Sequence, residues 1–183
     1  MPQNKKYKPL NYLIMKNNAD NFAGIENKGF LDGMSITEGE TYNMSFYAKS
    51  KKGYEGNFYV NLAVDGNVVA SSVVPATSND WTKYTTTLKS TVTAHEKVTL
   101  QVLIDSGEAY LDMISLFPEN TYKNRENGMR ADMATLLEEL QPKFLRFPGG
   151  CIIEGHDYST AYNWKDSIGT GENGLPLEFN GKY

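Results

Sequence analysis

The residues with the strongest claim to chemistry run Arg146-Phe147-Pro148-Gly149-Gly150-Cys151-Ile152-Ile153-Glu154-Gly155. Lys143-Phe144-Leu145-Arg146-Phe147 reads as a short strand that passes at once into Pro-Gly-Gly. Such a strand sets a fixed cation at its C-terminal edge, where barrel enzymes assemble their sites. The glycines let the backbone approach a ligand closely. An arginine paired with a structural carboxylate fits the same residues, and composition does not choose between the two. Asp112 interrupts an otherwise apolar run, Tyr110-Leu111-Asp112-Met113-Ile114-Ser115-Leu116-Phe117. A carboxylate there is costly unless it is hydrogen-bonded or bound to a cation. It is therefore an outward-facing or hydrogen-bonded side chain, or one ligand of a structural Ca²⁺ with oxygens from neighbouring loops.

Other patterns lack the context their chemistry needs. Gly169-Thr170-Gly171-Glu172-Asn173-Gly174 spells G-x-G-x-x-G, but Leu175-Pro176 is a poor helix start and Glu172 repels phosphate. It reads as a loop. His95 and His156 have no partners at metal-ligand spacing, and no G-x-S-x-G elbow occurs. His156-Asp157 beside Glu154 reads as a solvated loop. Tyr47, Tyr54, Tyr59, Trp81 and Tyr84 are candidates to stack on the apolar faces of sugar rings, with amides and carboxylates reading the hydroxyls. Trp81, at the start of a strand, fits core or edge packing equally.

Two textures divide the elements that must position these groups, and they meet near Pro118. Before it, apolar and polar residues alternate as in half-buried strands. Tyr42, Met44, Phe46 and Ala48 share one face, and so do Phe58, Val60, Leu62 and Val64. Asp65-Gly66 marks a tight hairpin leading into residues 68–74, because glycine accepts positive φ cheaply. Residues 81–88 are threonine- and tyrosine-rich, residues 98–104 alternate, and Asp105-Ser106-Gly107 turns the chain into residues 108–117. Weaker candidates lie at 10–15, 22–25 and 34–36. About eight short strands without a helix predict an antiparallel sandwich over residues 1–117, in jelly-roll form.

After Pro118, Met129, Met133, Leu136, Leu137 and Leu140 recur at helical steps until Pro142 forbids continuation. Helix followed by strand is the unit of an α/β fold. Residues 118–183 are far short of the roughly 250 that a (β/α)₈ barrel needs, so they read as the opening part of an incomplete barrel. The helix at residues 130–140 exposes its Met/Leu stripe unless it docks on the sandwich or on another copy of the chain, a homo-oligomer.

Composition excludes several classes. Lys and Arg total 18 against 22 Asp and Glu in 183 residues, a formal net charge of −4. That balance disfavours nucleic acid or an anionic membrane as the main partner. Cys151 is the single cysteine, so no internal disulfide forms. Apolar runs are too short for a transmembrane helix. The charged Met1-Pro2-Gln3-Asn4-Lys5-Lys6 has no long hydrophobic core after it, so no signal peptide is read.

Four stretches carry a family likeness: Asp112-Met113-Ile114-Ser115-Leu116-Phe117-Pro118, Asn127-Gly128-Met129-Arg130-Ala131-Asp132, Lys143 through Cys151, and Trp164-Lys165-Asp166-Ser167-Ile168-Gly169. In this order they resemble glycoside hydrolase family 51, the α-L-arabinofuranosidases. Upstream, Gly24-Ile25-Glu26-Asn27-Lys28-Gly29-Phe30, Tyr42-Asn43-Met44-Ser45-Phe46-Tyr47-Ala48 and Trp81-Thr82-Lys83-Tyr84 are similar to the carbohydrate-binding-module-like jelly roll of one branch of that family. The likeness runs from about Pro9 to Gly169; Thr170-Gly171-Glu172-Asn173-Gly174 departs from the family pattern.

The resemblance implies a retaining hydrolase that releases terminal arabinofuranose from arabinan or arabinoxylan without a cofactor. Such chemistry uses two carboxylates about 5 Å apart, a nucleophile and an acid/base. In the family both lie on later barrel strands, so no catalytic residue is assigned here, Glu154 included. The family's opening barrel strand lies upstream of the jelly roll and is not found in this sequence. Arg146 carries over as a substrate-site arginine. Cys151 carries over by position, where other branches place an asparagine that contacts sugar hydroxyls. A thiol is a weaker donor than an amide. Trp164 lines the site entrance. Two further readings stay open: a polysaccharide-binding module acting without catalysis, and a purely structural sandwich.

Overall fold

The computed structural model describes residues 11–51, 56–145, 150, 155 and 161. The chain divides into two units, Asn11–Thr135 and Met1–Leu10 with Leu136–Tyr183. The first is a sandwich of two antiparallel sheets, a jelly-roll type of fold. Its strands are β1 (Leu13–Asn17), β2 (Ala23–Asn27), β3 (Met34–Ile36), β4 (Thr41–Ser50), β5 (Asn57–Val64), β6 (Asn67–Pro75), β7 (Thr82–Lys89), β8 (Ala94–Ile104) and β9 (Gly107–Pro118). One sheet has the order β1-β9-β4-β7. The other has the order β2-β8-β5-β6, with β3 also paired to β8. The chain crosses between sheets at nearly every connection. The exceptions are β2 to β3, which both pair with β8, and the β5–β6 hairpin, whose Asp65 and Gly66 both have positive φ, as a tight primed turn requires.

Period-two alternation builds the core. Tyr42, Met44, Phe46 and Ala48 point inward from β4, and Phe58, Val60 and Leu62 meet them from β5. Val98, Leu100, Val102 and Ile104 add the inner row of β8. At the centre, Phe46 lies 5.3 Å from Phe58 edge-on and 5.6 Å from Tyr84 in a stacked pair. These rings come from both sheets and fix the way the two layers interdigitate.

Two irregularities break the alternation. Between Leu62 and Ala63 the β5–β6 register slips by one residue. In β9, Leu111 pairs with Ala48 and Asp112 with Tyr47, but Ser115 pairs with Ser45, which leaves Met113 as an extra residue. Met113 has a φ of 51°, and its N–H donates to Asp112 Oδ1 at 2.8 Å. This is a β-bulge capped by the preceding carboxylate. It moves the inward set from Ala109 and Leu111 to Ile114 and Leu116.

Asn17 closes the far corner of the sandwich. Its buried amide donates to Asn21 O, to Ile104 O at 3.1 Å and to Asp105 O at 2.9 Å, while its Oδ1 accepts the Ala19 N–H at 3.0 Å. One side chain thus ties the β1–β2 turn to the β8–β9 connection.

Beyond the strands, α1 (Ala131–Leu140) occupies the segment with helical periodicity. Asp132 in its first turn pairs with Arg130 at 2.6 Å, which holds its carboxyl below the ordinary aspartate value. The helix ends at Gln141, whose φ is 48°, just before Pro142. Met133, Leu136, Leu137 and Leu140 are exposed, as are Phe144 and Leu145. The strand expected at 143–147 falls partly outside the described residues; Lys143, Phe144 and Leu145 are irregular.

Four substitutions at three positions measure this packing by urea or thermal unfolding. Phe58→Ala removes a fully buried ring and costs about 3–5 kcal/mol. The Tyr84 hydroxyl is buried with no hydrogen-bond partner among the described residues, so Tyr84→Phe leaves stability unchanged or raises it by about 1 kcal/mol. Asp112→Ala, which strips the bulge of its cap, costs about 1 kcal/mol, and Asp112→Asn costs less because an acceptor remains.

Candidate functional site

The strand register places two different side-chain arrays on the outer faces of the sandwich. On the five-stranded sheet, Glu26, Gln101, Asn61 and Ser71 are directly opposite one another across β2, β8, β5 and β6. Gln101 Nε2 donates to Glu26 Oε1 at 3.4 Å, and Asn61 Nδ2 lies 3.5 Å from Gln101 Oε1. The next row holds Gly24, Leu103, Tyr59 and Val73. Tyr59 donates its hydroxyl to Asp105 Oδ2 at 3.1 Å, and its ring meets exposed Phe22 at 4.6 Å, edge to face. A row of amides and a carboxylate therefore runs beside a flat aromatic and aliphatic row. That pairing suits a ligand with apolar ring faces and hydroxyl edges.

The four-stranded sheet is different. Ile14 pairs with Tyr110, and Tyr110 with Lys49; Trp81 follows on as the residue before β7, whose Thr82 pairs with Ala48. Tyr12 packs edge-on against both Trp81, at 5.6 Å, and Tyr110, at 5.5 Å. The Lys49 ammonium lies 4.9 Å from the Tyr110 ring centre, 5.6 Å from Trp81 and 5.9 Å from Tyr12. On one side of this row, Glu108 Oε2 meets Lys51 at 3.2 Å and Lys16 at 3.7 Å, and Glu108 Oε1 accepts the Tyr110 hydroxyl at 2.6 Å. The Tyr110 and Lys51 hydrogen bonds hold the Glu108 carboxyl below its ordinary value, and the same carboxylate raises the Tyr110 phenol. On the other side, Asp112, Tyr47 and Lys83 are opposite one another, with Lys83 6.0 Å from the Tyr47 ring centre.

The residues singled out from sequence fare unequally. Arg146, Cys151 and Trp164 lie outside the described residues, as do Tyr54, His156 and Gly169 through Gly174. Tyr47 and Trp81 share the outer face of the four-stranded sheet, and Tyr59 is on the other sheet. Tyr84 is a core residue, not a surface platform, because it shares its inward parity with Leu88. Asp112 accepts the Met113 N–H at Oδ1, and among the described residues no group of three or more His, Cys, Asp or Glu side chains gathers around it or elsewhere. His95 bonds the Ser35 hydroxyl at 2.8 Å on the surface. Tyr12, Lys49 and Tyr110 were not anticipated. The alternation of β9 does mark Tyr110 as outward, since Ala109 and Leu111 are buried.

Comparison with known proteins covers both parts of the chain. Residues 25–107 match a carbohydrate binding domain family, and residues 136–178 match the α-L-arabinofuranosidase 1 domain family. The chain is 34% identical over 158 residues to an extracellular exo-α-L-arabinofuranosidase of Streptomyces chartreusis, covering 80% of this chain and 19% of that protein. Against α-L-arabinofuranosidase 1 of Arabidopsis thaliana the identity is 29%, covering 82% of this chain and 22% of the relative. The chain thus spans about a fifth of the length of these relatives. An arabinose-bound GH51 α-L-arabinofuranosidase superposes with a TM-score of 0.75 at 30% identity, over 88% of this chain and 28% of that one. Among the described residues no helix is long and apolar enough to cross a membrane. In order along the chain, a sandwich similar to a carbohydrate binding domain family thus precedes a segment similar to the α-L-arabinofuranosidase 1 domain family, and a GH51 α-L-arabinofuranosidase superposes on most of the chain.

Proposed function

We propose that the whole protein is a retaining α-L-arabinofuranosidase that removes terminal arabinofuranosyl residues from arabinan or arabinoxylan without a cofactor, and that these 183 residues alone do not hydrolyse. One observation carries this reading: a single superposition on an arabinofuranosidase runs through both parts of the chain, covering 88% of it. The retaining reaction needs a nucleophile carboxylate to form the glycosyl-enzyme and a second carboxyl to protonate, then deprotonate. Family likeness assigns both to barrel strands beyond this sequence. Residues 1–117 form the sandwich domain in this reading and residues 118–183 the opening of the barrel. Arg146 supplies a fixed charge and hydrogen bonds to the bound sugar, Cys151 lies beside it, and Trp164 lines the entrance. The partner is an arabinose-containing polysaccharide rather than nucleic acid or membrane.

A second reading, that the sandwich binds polysaccharide by itself, is favoured by the amide row beside Tyr59 on the five-stranded sheet. The aromatic row and the amide row sit side by side, so a ring stacked on one can present its hydroxyls to the other.

Assay of the purified chain on p-nitrophenyl α-L-arabinofuranoside gives no release above blank; measurable release overturns the proposal. In a version extended through the remaining barrel, Arg146→Ala lowers kcat/KM by roughly a hundredfold. In gels cast with arabinan or arabinoxylan, the chain is retarded, and Tyr59→Ala and Gln101→Ala each abolish the retardation. Unchanged mobility of the parent chain leaves the sandwich a structural domain.

A further inference from the structure

The outer face of the four-stranded sheet carries chemistry that the hydrolase reading leaves unused. The chain as a whole has a formal net charge of −4, yet this face gathers Lys16, Lys49, Lys51 and Lys83 against Glu108 and Asp112. Two of these lysines share a single carboxylate, Glu108, so that group leaves a surplus positive charge. Lys49 is the centre of the face. Its ammonium lies within 6 Å of three ring centres, Tyr12, Trp81 and Tyr110. Among the described residues no carboxylate pairs with it. Ring contacts hold the long side chain in one place but accept none of its N–H donors in the manner of a carboxylate. A cation held in this way has already lost the freedom that binding an anion would otherwise remove.

Tyr12 is exposed at the rim, and Trp81 is half-buried beside it. The face therefore offers flat apolar surface and one fixed ammonium group within about 6 Å of it. A neutral sugar stacks on the flat surface but offers the ammonium only uncharged oxygens, and a simple polyanion uses only the charge. A ligand whose rings have apolar C–H faces and carry carboxylates uses both. We propose that this face binds a uronic-acid-bearing polysaccharide, with sugar rings on Tyr12 and Trp81 and a uronate carboxylate on Lys49. The inference rests on the reading of the sandwich as part of a polysaccharide-acting protein. It uses the opposite sheet from the Tyr59 row, so the two fail separately.

The test is affinity electrophoresis of the full chain in gels cast with sodium polygalacturonate, its fully methyl-esterified form, or polyglutamate. Polygalacturonate retards the chain, the other two do not, and retardation falls as salt is raised toward 0.15 M, where the Debye length is about 8 Å. Lys49→Gln weakens binding by about three- to fivefold, the range of an exposed charge pair, without lowering the melting midpoint in parallel. Tyr12→Ala weakens it as well; where that variant melts early, Lys49→Arg, which keeps the charge, retains the binding that Lys49→Gln loses. Tyr59→Ala leaves polygalacturonate binding intact. The proposal is overturned by no retardation, by equal retardation in the methyl ester, by equal retardation in polyglutamate, or by an unchanged Lys49→Gln. Loss of binding in Tyr59→Ala with Lys49→Gln unaffected places the sugar on the other sheet.

Discussion

Side-chain alternation along extended strands is the constraint from which the rest of this molecule follows. Because each strand sends successive residues to opposite sides, committing Phe46, Phe58 and Tyr84 to the interior also commits their neighbours to one outer face or the other. Phe46 inside means Tyr47 outside, and Phe58 inside means Tyr59 outside. The core and the two candidate faces are thus one decision. A slip of one residue in β4 would bury Lys49 and expose Met44 and Phe46, at a cost of several fully buried side chains.

The two outer faces have diverged within that shared frame. One presents amides, a carboxylate and a tyrosine in adjacent rows; the other presents lysines among aromatic rings. Neither array comes from a single segment. The Lys49 cage draws Tyr12 from β1's approach, Lys49 from β4, Trp81 from before β7 and Tyr110 from β9. It exists only once β1 has paired with β9 across most of the sandwich sequence. Asn17 serves this assembly at the other end of β1, where three backbone carbonyls hold its amide.

Much of the scaffold was legible in the residues. The Asp65-Gly66 hairpin, the clean alternation of Tyr42 to Ala48 and Phe58 to Leu62, and the helical stripe stopped by Pro142 each rest on local chemistry, and each appears where local chemistry puts it. What failed were assignments needing long-range or weakly contrasted information. In β7, Thr82, Thr85, Thr86 and Thr87 are tolerable on either face, so only Tyr84 and Leu88 together mark the inner side. Tyr84 was consequently placed among surface aromatics. The Lys49 cage was invisible because no sequence rule pairs residue 12 with residue 110. Arg146 stands out both by its place before Pro-Gly-Gly and by family likeness, Cys151 and Trp164 by family likeness alone, and all three lie outside the described residues.

The bulge in β9 has a consequence for how this strand tolerates change in length. With Met113 set aside, the strand carries two inward phases, odd numbers before it and even numbers after. Losing that one codon would close the bulge into a regular strand, with Ala109, Leu111, Ile114 and Leu116 all still inward and Ser115 still opposite Ser45. Flattening the bulge with the residue kept would instead turn Ile114 and Leu116 to solvent and draw Ser115 and Phe117 inward. The spare residue is therefore one the core can do without, and related chains should vary at this point in length as well as in identity.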